Sequence, residues 1–340
     1  MSQKTYQAVQ ASRPGVLELV ERAVVEPASC EVRIRVEACG VCHSDRWTVE
    51  GNVVPISYPR VPGHEVVGRI DAVGTGVVGW TVGQRVGVGF LGGPCLQCVA
   101  CRRGDFTRCS NQTWTGIHHD GGYAQMMIAK ASGLVAIPES LDMVAAAPLL
   151  CAGITVHKAL RRSGAVAGDT VAVQGIGGLG HLALQFARKM GFRTIAIARG
   201  TEKENAAKAL GAHEYIDSEA GDAVARMQGL GGVKVLLSTI ASPKAITPLM
   251  SGLATHGQVM MVGLAAESIE VSPFALVKDD IAVRGSLTGS TGETEDSLGF
   301  CGLQDIRATT ETLPLTQAQR AYERMSANHA RFRVVLTMQE

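Results

Sequence analysis

The sequence carries no surplus of charge: 32 Lys and Arg against 31 Asp and Glu leave a formal net charge of +1. That excludes the electrostatic footprint by which proteins hold nucleic acid or an anionic membrane. It also has no apolar run of membrane-spanning length, and its opening Met-Ser-Gln-Lys-Thr-Tyr has no apolar stretch of the kind a secretion signal needs. The expectation is a cytoplasmic protein without membrane or nucleic-acid partners. In that compartment nine cysteines read as metal ligands or buried apolar residues rather than disulfides. Repeats, low-complexity tracts and charged tails are absent. Aromatic residues are scarce at 4%, whereas glycines number 40, a composition suited to tight turns and close backbone approaches.

A chain of 340 residues has room for two domains. The first 150 or so residues read as short β segments between turns. Val32-Arg-Ile-Arg-Val36 alternates as a half-buried strand does, and Val66-Val67, Val73 and Val86-Gly-Val88 continue the pattern. The rhythm then changes. Thr170–Val173, Thr194–Ala198, Val233–Leu237, Val259–Val262 and Ile281–Val283 read as strands, with helical material between, including Thr201–Leu210 ended by Gly211. Alternating β and α at this spacing predicts an α/β doubly wound parallel sheet of the Rossmann kind. The boundaries expected are an irregular β-rich domain over 1–152, the dinucleotide-type domain over 153–287, and a return of 288–340 to the first domain.

Four thiols fall within a short span: Cys95-x2-Cys98-x2-Cys101-x7-Cys109, among Gly92, Gly93, Gly104 and three arginines. Four thiolates make a closed tetrahedral zinc site that fixes a lobe, here 92–110, lacking a core of its own. Four free buried cysteines or an iron–sulfur cluster are the other readings of this spacing. No recognition helix accompanies the arginines, so a nucleic-acid finger does not fit. A second set is dispersed: Cys42, His64 and Cys151. One imidazole and two thiolates suit an open catalytic zinc site, whose fourth position is left for substrate or water.

Gly175-x-Gly-Gly-x-Gly180 follows one strand, opens a helix and precedes a second strand, a context that gives a glycine fingerprint meaning. Its glycines admit a pyrophosphate close to the backbone at a helix N-terminus. Roughly 20 residues further on, NAD binding favours Asp or Glu for the ribose. The chain offers Arg199 and Lys203 instead, which favours the 2′-phosphate of NADP. Glu202 stands close enough to keep NAD open as the less favoured cofactor.

Taken together, Cys-His-Ser-Asp at 42–45, Pro-Gly-His-Glu at 62–65, the four-cysteine lobe, Asp120-Gly-Gly-Tyr123, Cys-Ala-Gly-x-Thr at 151–155 and the glycine fingerprint resemble the zinc-dependent medium-chain alcohol dehydrogenase family, most of all its bacterial and yeast-type members. The resemblance spans the whole chain and implies a GroES-like catalytic domain. It implies that Cys42, His64 and Cys151 bind a catalytic zinc, with Glu65 behind them and able to exchange in. By the same resemblance Asp45 orients His64 and Ser44 passes on the substrate proton. His43, Thr155, Leu179, Val262 and Arg333 join Gly175, Gly177, Gly178, Gly180, Arg199 and Lys203 around the cofactor. Trp47, Phe90 and Trp114 face an alcohol or aldehyde of modest alkyl or aryl character, and the assembly is a homodimer or homotetramer. Glu50 stands where a relay histidine is expected; a surface glutamate is the other reading. His118 and His119 flank the pocket without a role. Cys30, Cys39 and Cys301 read as small buried hydrophobes. A zinc-binding NADP sensor without turnover is the rival from another class. A zinc-free reductase of double bonds would lack Cys42, His64 and Cys151.

Overall fold

The computed structural model describes residues 4–338. Along the chain run β1 (Thr5–Arg13), β2 (Val16–Ala23), β3 (Glu31–Val41), β4 (Val66–Val73), β5 (Arg85–Val88), β6 (Met126–Lys130) and β7 (Leu134–Ala136). They are followed by β8 (Thr170–Gln174), β9 (Arg193–Ala198), β10 (Glu214–Asp217), β11 (Val233–Ser238), β12 (Leu253–Met261) and β13 (Ala282–Gly285), then β14 (Thr310–Pro314) and β15 (Arg333–Thr337). Two compact units result, Met1–Ile154 with Thr288–Glu340, and Thr155–Leu287. The expected cut near 152 falls at the start of the helix Ala152–Arg162, within which one unit gives way to the other.

In the first unit β1 and β2 form an antiparallel hairpin. A seven-stranded sheet runs β14-β15-β3-β4-β5-β7, with β6 also paired to β3. β3 shows why the alternation forms a strand. Val32, Ile34 and Val36 point into the core, while Arg33 on the other face is held by Asp71 and Glu26. β15 lies between β14 and β3, so residues from beyond 330 stand in the interior of a sheet built mostly by the first 140. Cys39 and Cys301 are buried as expected; Cys30 is not. It is exposed at φ +63° in the turn before β3, where packing asks nothing of its side chain.

The second unit is a six-stranded parallel sheet in the order β10-β9-β8-β11-β12-β13. Strand order reverses between β8 and β11, the place where doubly wound sheets open a crevice at their carboxyl edge. Of the residues that periodicity puts on one face, Leu182, Ala183, Phe186 and Ala187 are buried in the helix Gly180–Lys189 and Leu179 and Met190 are half-buried, while Leu184 is buried off that face. Several elements differ from expectation. The helix expected over 201–210 is confined to Glu204–Ala209, because Gly200 turns the chain at φ +66° after β9. β10 was not anticipated, its Glu-Tyr-Ile-Asp being too short and mixed to show a period. Among the described residues no single helix is long and apolar enough to cross a membrane.

Candidate functional site

The register of three strands assembles the first site. Cys39 on β3 pairs with Val66 on β4, and Val41 on β3 pairs with Val334 on β15. The residue after β3 (Cys42), the two before β4 (His64 and Glu65) and the first of β15 (Arg333) therefore meet at one end of the sheet. Cys151 joins them from the junction between a short 3-10 turn, Ala147–Leu150, and the helix Ala152–Arg162. One donor atom from each of Cys42, His64, Glu65 and Cys151 lies within 4.8 Å of all the others. The sulfur atoms of Cys42 and Cys151 are 4.0 Å apart.

Asp45 is the hub. It is 1% exposed at the start of the helix Asp45–Glu50, and its two oxygens are taken from three directions. His64 Nδ1 lies 2.9 Å from Oδ1, while the Cys42 N–H and the Tyr123 hydroxyl donate to Oδ2 at 2.8 and 2.9 Å. Holding the proton on Nδ1 leaves Nε2 of His64 as a lone pair, and that atom is buried without a partner. An unpartnered buried nitrogen beside two thiols fits a soft or borderline metal ion. Tyr123 closes the Asp120-Gly-Gly-Tyr motif, and its hydroxyl on Asp45 is a role the sequence does not disclose. Its signal was the spacing Asp120-Gly-Gly-Tyr, which a sequence cannot aim at Asp45.

The electrostatics agree with a site made for a cation. Hydrogen bonding to Cys151 holds the Cys42 thiol well below the usual cysteine range, and the same contact pushes Cys151 well above it. Burial works against a charged His64, yet Asp45 and Cys42 together keep its pKa well above the usual value, so the pocket favours positive charge at Nε2, either as a proton or as a metal ion taking the proton's place on the lone pair. Burial pushes Glu65 up to about 8, with Arg333 pulling against it. The Arg333 Nη2 donates to both Glu65 oxygens at 2.5 and 2.6 Å, in a pair 4% and 0% exposed. Arg333, expected at the cofactor, is thus engaged with Glu65, and its Nε is buried without a partner. Room for the Glu65 carboxylate depends on Gly40, where a Cβ would stand 1.9 Å from Oε2.

Ser44 follows Cys42 and His43 at the N-terminal end of that helix, and its side chain makes no capping hydrogen bond. Trp47 and Phe90 meet edge to face at 5.8 Å, Phe90 and Trp114 stack at 5.6 Å, and Phe90 meets His64 at 5.2 Å. With Leu91, Ile117, Val54 and Ile56 they make a small apolar cluster separate from the main core. Glu50 lies apart from Ser44. Its carboxylate takes Arg46, Tyr322 and Asn52, and no hydrogen bond joins it to Ser44 among the described residues. Arg46 first, then Tyr322, holds Glu50 below the usual carboxylate range. A depressed carboxylate contributes its stability above the unfolded value of about 4.3 and loses it only as pH falls through the lowered folded value. Glu50→Gln is therefore expected to leave the pH–rate profile unchanged above about pH 6, where the wild-type group is already ionised. An inflection below that pH that disappears in Glu50→Gln would show the carboxylate acting in the relay after all.

Cys95, Cys98, Cys101 and Cys109 form a second group with sulfur atoms within 4.8 Å of one another. Backbone N–H groups of Cys101 and Ser110 pull Cys98 down to about 5, and those of Gln97 and Cys98 pull Cys95 down to about 7. Thiolates are thus favoured at Cys95 and Cys98, where a nest of amides around sulfur suits a metal-bound thiolate, whereas burial pushes Cys101 up to about 12. The lobe has little apolar interior: Leu96 and Val99 are 58% and 55% exposed.

In the second unit the glycine loop joins β8 to the helix Gly180–Lys189. Gly175 has φ +88°, and a Cβ on Gly180 would stand 1.8 Å from the Gly175 carbonyl oxygen. A Cβ on Gly177 would meet nothing within 4 Å, leaving open space of the kind a pyrophosphate occupies. Gly178 and Leu179 complete the turn. Val262 follows β12 with its N–H on Ser238, and Thr155 lies on the helix Ala152–Arg162. Arg199, directly after β9, and Lys203 are exposed and form no ion pair among the described residues. The nearby acid Asp217 receives the N–H groups of Gly200 and Glu219.

Comparison with known proteins agrees with this chemistry. Residues 28–139 match the alcohol dehydrogenase GroES-like domain and residues 178–301 the zinc-binding dehydrogenase domain. Alcohol dehydrogenase notN of an Aspergillus species is 42% identical over 92% of this chain and 91% of its own. Alcohol dehydrogenase patD of Penicillium expansum is 40% identical over 98% of this chain and 97% of its own. The solved structure of a cinnamyl alcohol dehydrogenase from Sorghum bicolor superposes with a TM-score of 0.88 at 30% identity, covering 99% of this chain and 100% of that one. The chain belongs to the zinc-dependent medium-chain alcohol dehydrogenase family, a family of oxidoreductases.

Proposed function

We propose that the protein is a zinc-dependent, NADP-preferring alcohol dehydrogenase that also runs in reverse as an aldehyde reductase. The observation that carries this is the meeting of Cys42, His64 and Cys151 around a bare, buried His64 Nε2. These three side chains would hold the catalytic zinc, with Glu65 in reach as an exchanging ligand, and the four cysteines of the lobe would hold a structural zinc. A zinc ion held by these residues would supply Lewis acidity at the substrate oxygen, and NADP would supply the hydride acceptor for oxidation or the donor for reduction. Asp45 keeps His64 in the tautomer that presents Nε2. The Ser44 hydroxyl, not engaged in capping, accepts the alcohol proton as it gives up its own to water, and the same relay runs backwards in reduction. Trp47, Phe90 and Trp114 form the apolar wall for the substrate carbon skeleton. Two zincs per chain with aldehyde-dependent oxidation of NADPH is the expected result; cofactor binding without turnover of any alcohol or aldehyde would favour a sensor.

Arg199 and Lys203 support the NADP preference as unpaired cations at the end of β9. Arg199→Ala is expected to raise KM for NADP by about 10- to 100-fold, the range for a charge-assisted hydrogen bond, while leaving KM for NAD nearly unchanged. Glu202 keeps the NAD reading in play, because its carboxylate folds back over Gly200. Equal effects of Arg199→Ala on both cofactors would decide for NAD.

A further inference from the structure

Tyr123 is among the largest fully buried side chains of the protein. Its hydroxyl donates to Asp45 Oδ2 at 2.9 Å. Burial first, then Asp45, pushes that hydroxyl well above the usual tyrosine range, so it stays protonated and remains a donor. A phenol buried on a charged acceptor, outside every step of the proposed chemistry, calls for a role of its own.

The segment that carries Tyr123 also holds the turn that delivers His64. The Gly121 N–H donates to the Val61 carbonyl at 2.8 Å, that of Gly122 to the Gly63 carbonyl at 3.0 Å, and that of Tyr123 to the Pro62 carbonyl at 3.0 Å. Asp120 Oδ1 completes the set by accepting the Val61 N–H at 3.0 Å. Two glycines make the approach possible. A Cβ on Gly121 would collide with the Gly63 carbonyl oxygen, and one on Gly63, at φ +99°, would stand 2.5 Å from the Tyr123 ring. Residues 120–123 therefore fix the backbone leading into His64, while the Tyr123 hydroxyl fixes the carboxylate that holds its Nδ1. Without the hydroxyl, Oδ2 keeps only the Cys42 N–H at 2.8 Å. A carboxylate with one donor on that side is free to pivot, and a shift of a few tenths of an ångström at Nε2 is enough to spoil a metal bond.

We propose that Tyr123 is a positioning residue for the metal centre: through Asp45, its hydroxyl holds the His64 imidazole where Nε2 meets an ion shared with Cys42 and Cys151. It touches neither metal nor substrate. It acts on one of the two donor groups only, since the four cysteines of the lobe stand apart from Asp45 and His64 in their own cluster. This role rests on the reading of Cys42, His64 and Cys151 as a zinc site.

Tyr123→Phe keeps the ring against Gly63 and removes only the hydroxyl. Tyr322→Phe is the matched control: its hydroxyl also donates to a carboxylate, Glu50 Oε1 at 2.9 Å, from a residue 8% exposed, but that carboxylate holds none of the metal donors. Competition with a chromophoric chelator reads release of zinc from the full chain, and Cys42→Ala, expected to keep only the lobe ion, assigns the two. In Tyr123→Phe the ion at His64 is expected to be held about tenfold more weakly, as for other outer partners of metal ligands, with the lobe ion unchanged. Tyr322→Phe should change neither. Unchanged affinity at His64, or equal loss at both ions, would overturn the proposal. A second readout needs no metal, because His64 carries a proton on Nδ1 whether Nε2 holds a metal or a proton. In protein labelled with heavy nitrogen at histidine, the signal is assigned by its absence from His64→Gln. Its exchange with water is expected to be at least about tenfold faster in Tyr123→Phe and unchanged in Tyr322→Phe. If wild type binds only the lobe ion, the zinc reading falls, and this exchange alone decides whether Tyr123 positions His64: equal rates in wild type and Tyr123→Phe refute it.

Discussion

Cys42→Ala is expected to yield a folded protein with one zinc per chain instead of two and a rate of alcohol oxidation lowered at least about a thousandfold, as loss of several kcal/mol of charge stabilisation requires. The residue lies at the end of β3, where the backbone is held by pairing to β4 and β15, so its loss should leave the sheet in place. His64 would remain on Asp45 and Cys151 would remain nearby, but two donors with one carboxylate cannot hold the ion against a chelator. Inductively coupled plasma metal analysis and steady-state kinetics measure the two quantities separately. Two zincs per chain, or activity within tenfold of wild type, would show that the ligand set has been misassigned.

The second large effect concerns the lobe. Cys101 is among its most buried residues, 5% exposed, in a segment whose only regular pieces are the short turns Val99–Arg102 and Phe106–Arg108. Cys101→Ala is expected to lose the second zinc, to open 92–110 to proteolysis and to lower the apparent Tm by on the order of 10 °C, because metal binding supplies the folding energy that so small an apolar interior does not. The rate measured in the cold should fall far less than for Cys42→Ala, since the lobe holds none of the four donors around His64. A variant with unchanged proteolysis and melting would mean that the four thiols act as ordinary packing. Visible absorption from the wild-type protein would point to an iron–sulfur cluster.

What could be read from the sequence was whatever repeats locally. The β8 and β9 strands and the glycine loop followed from alternation and from a fingerprint in its proper context. Cys42, His64 and Cys151 were legible as residue types, and their family motifs named them together. Their meeting point was not legible, because it depends on the register of β3 against β4 and β15. The Arg333–Glu65 pair, 268 residues apart, follows from that register alone. Tyr123 on Asp45 was hidden for the same reason. β12 begins at Leu253, well before the expected Val259, because a polar Thr-His-Gly stretch interrupts the apolar signal, and the pairing with β11 itself skips from Leu253 to Gln258. At Glu50 the distance from a motif was legible, whereas its partners Arg46 and Tyr322 were not, the second being 272 residues away.

The place of β15 inside the first sheet also sets an order in time. The four thiols of 95–109 can gather on one ion while the chain is still being synthesised, since all of them lie close together early in the sequence. Around His64, by contrast, the Glu65 carboxylate is without its counter-ion until residue 333 has left the ribosome and threaded between β3 and β14. If both clusters hold ions as proposed, their loading should be staggered, the lobe early and the His64 centre only after synthesis is nearly done.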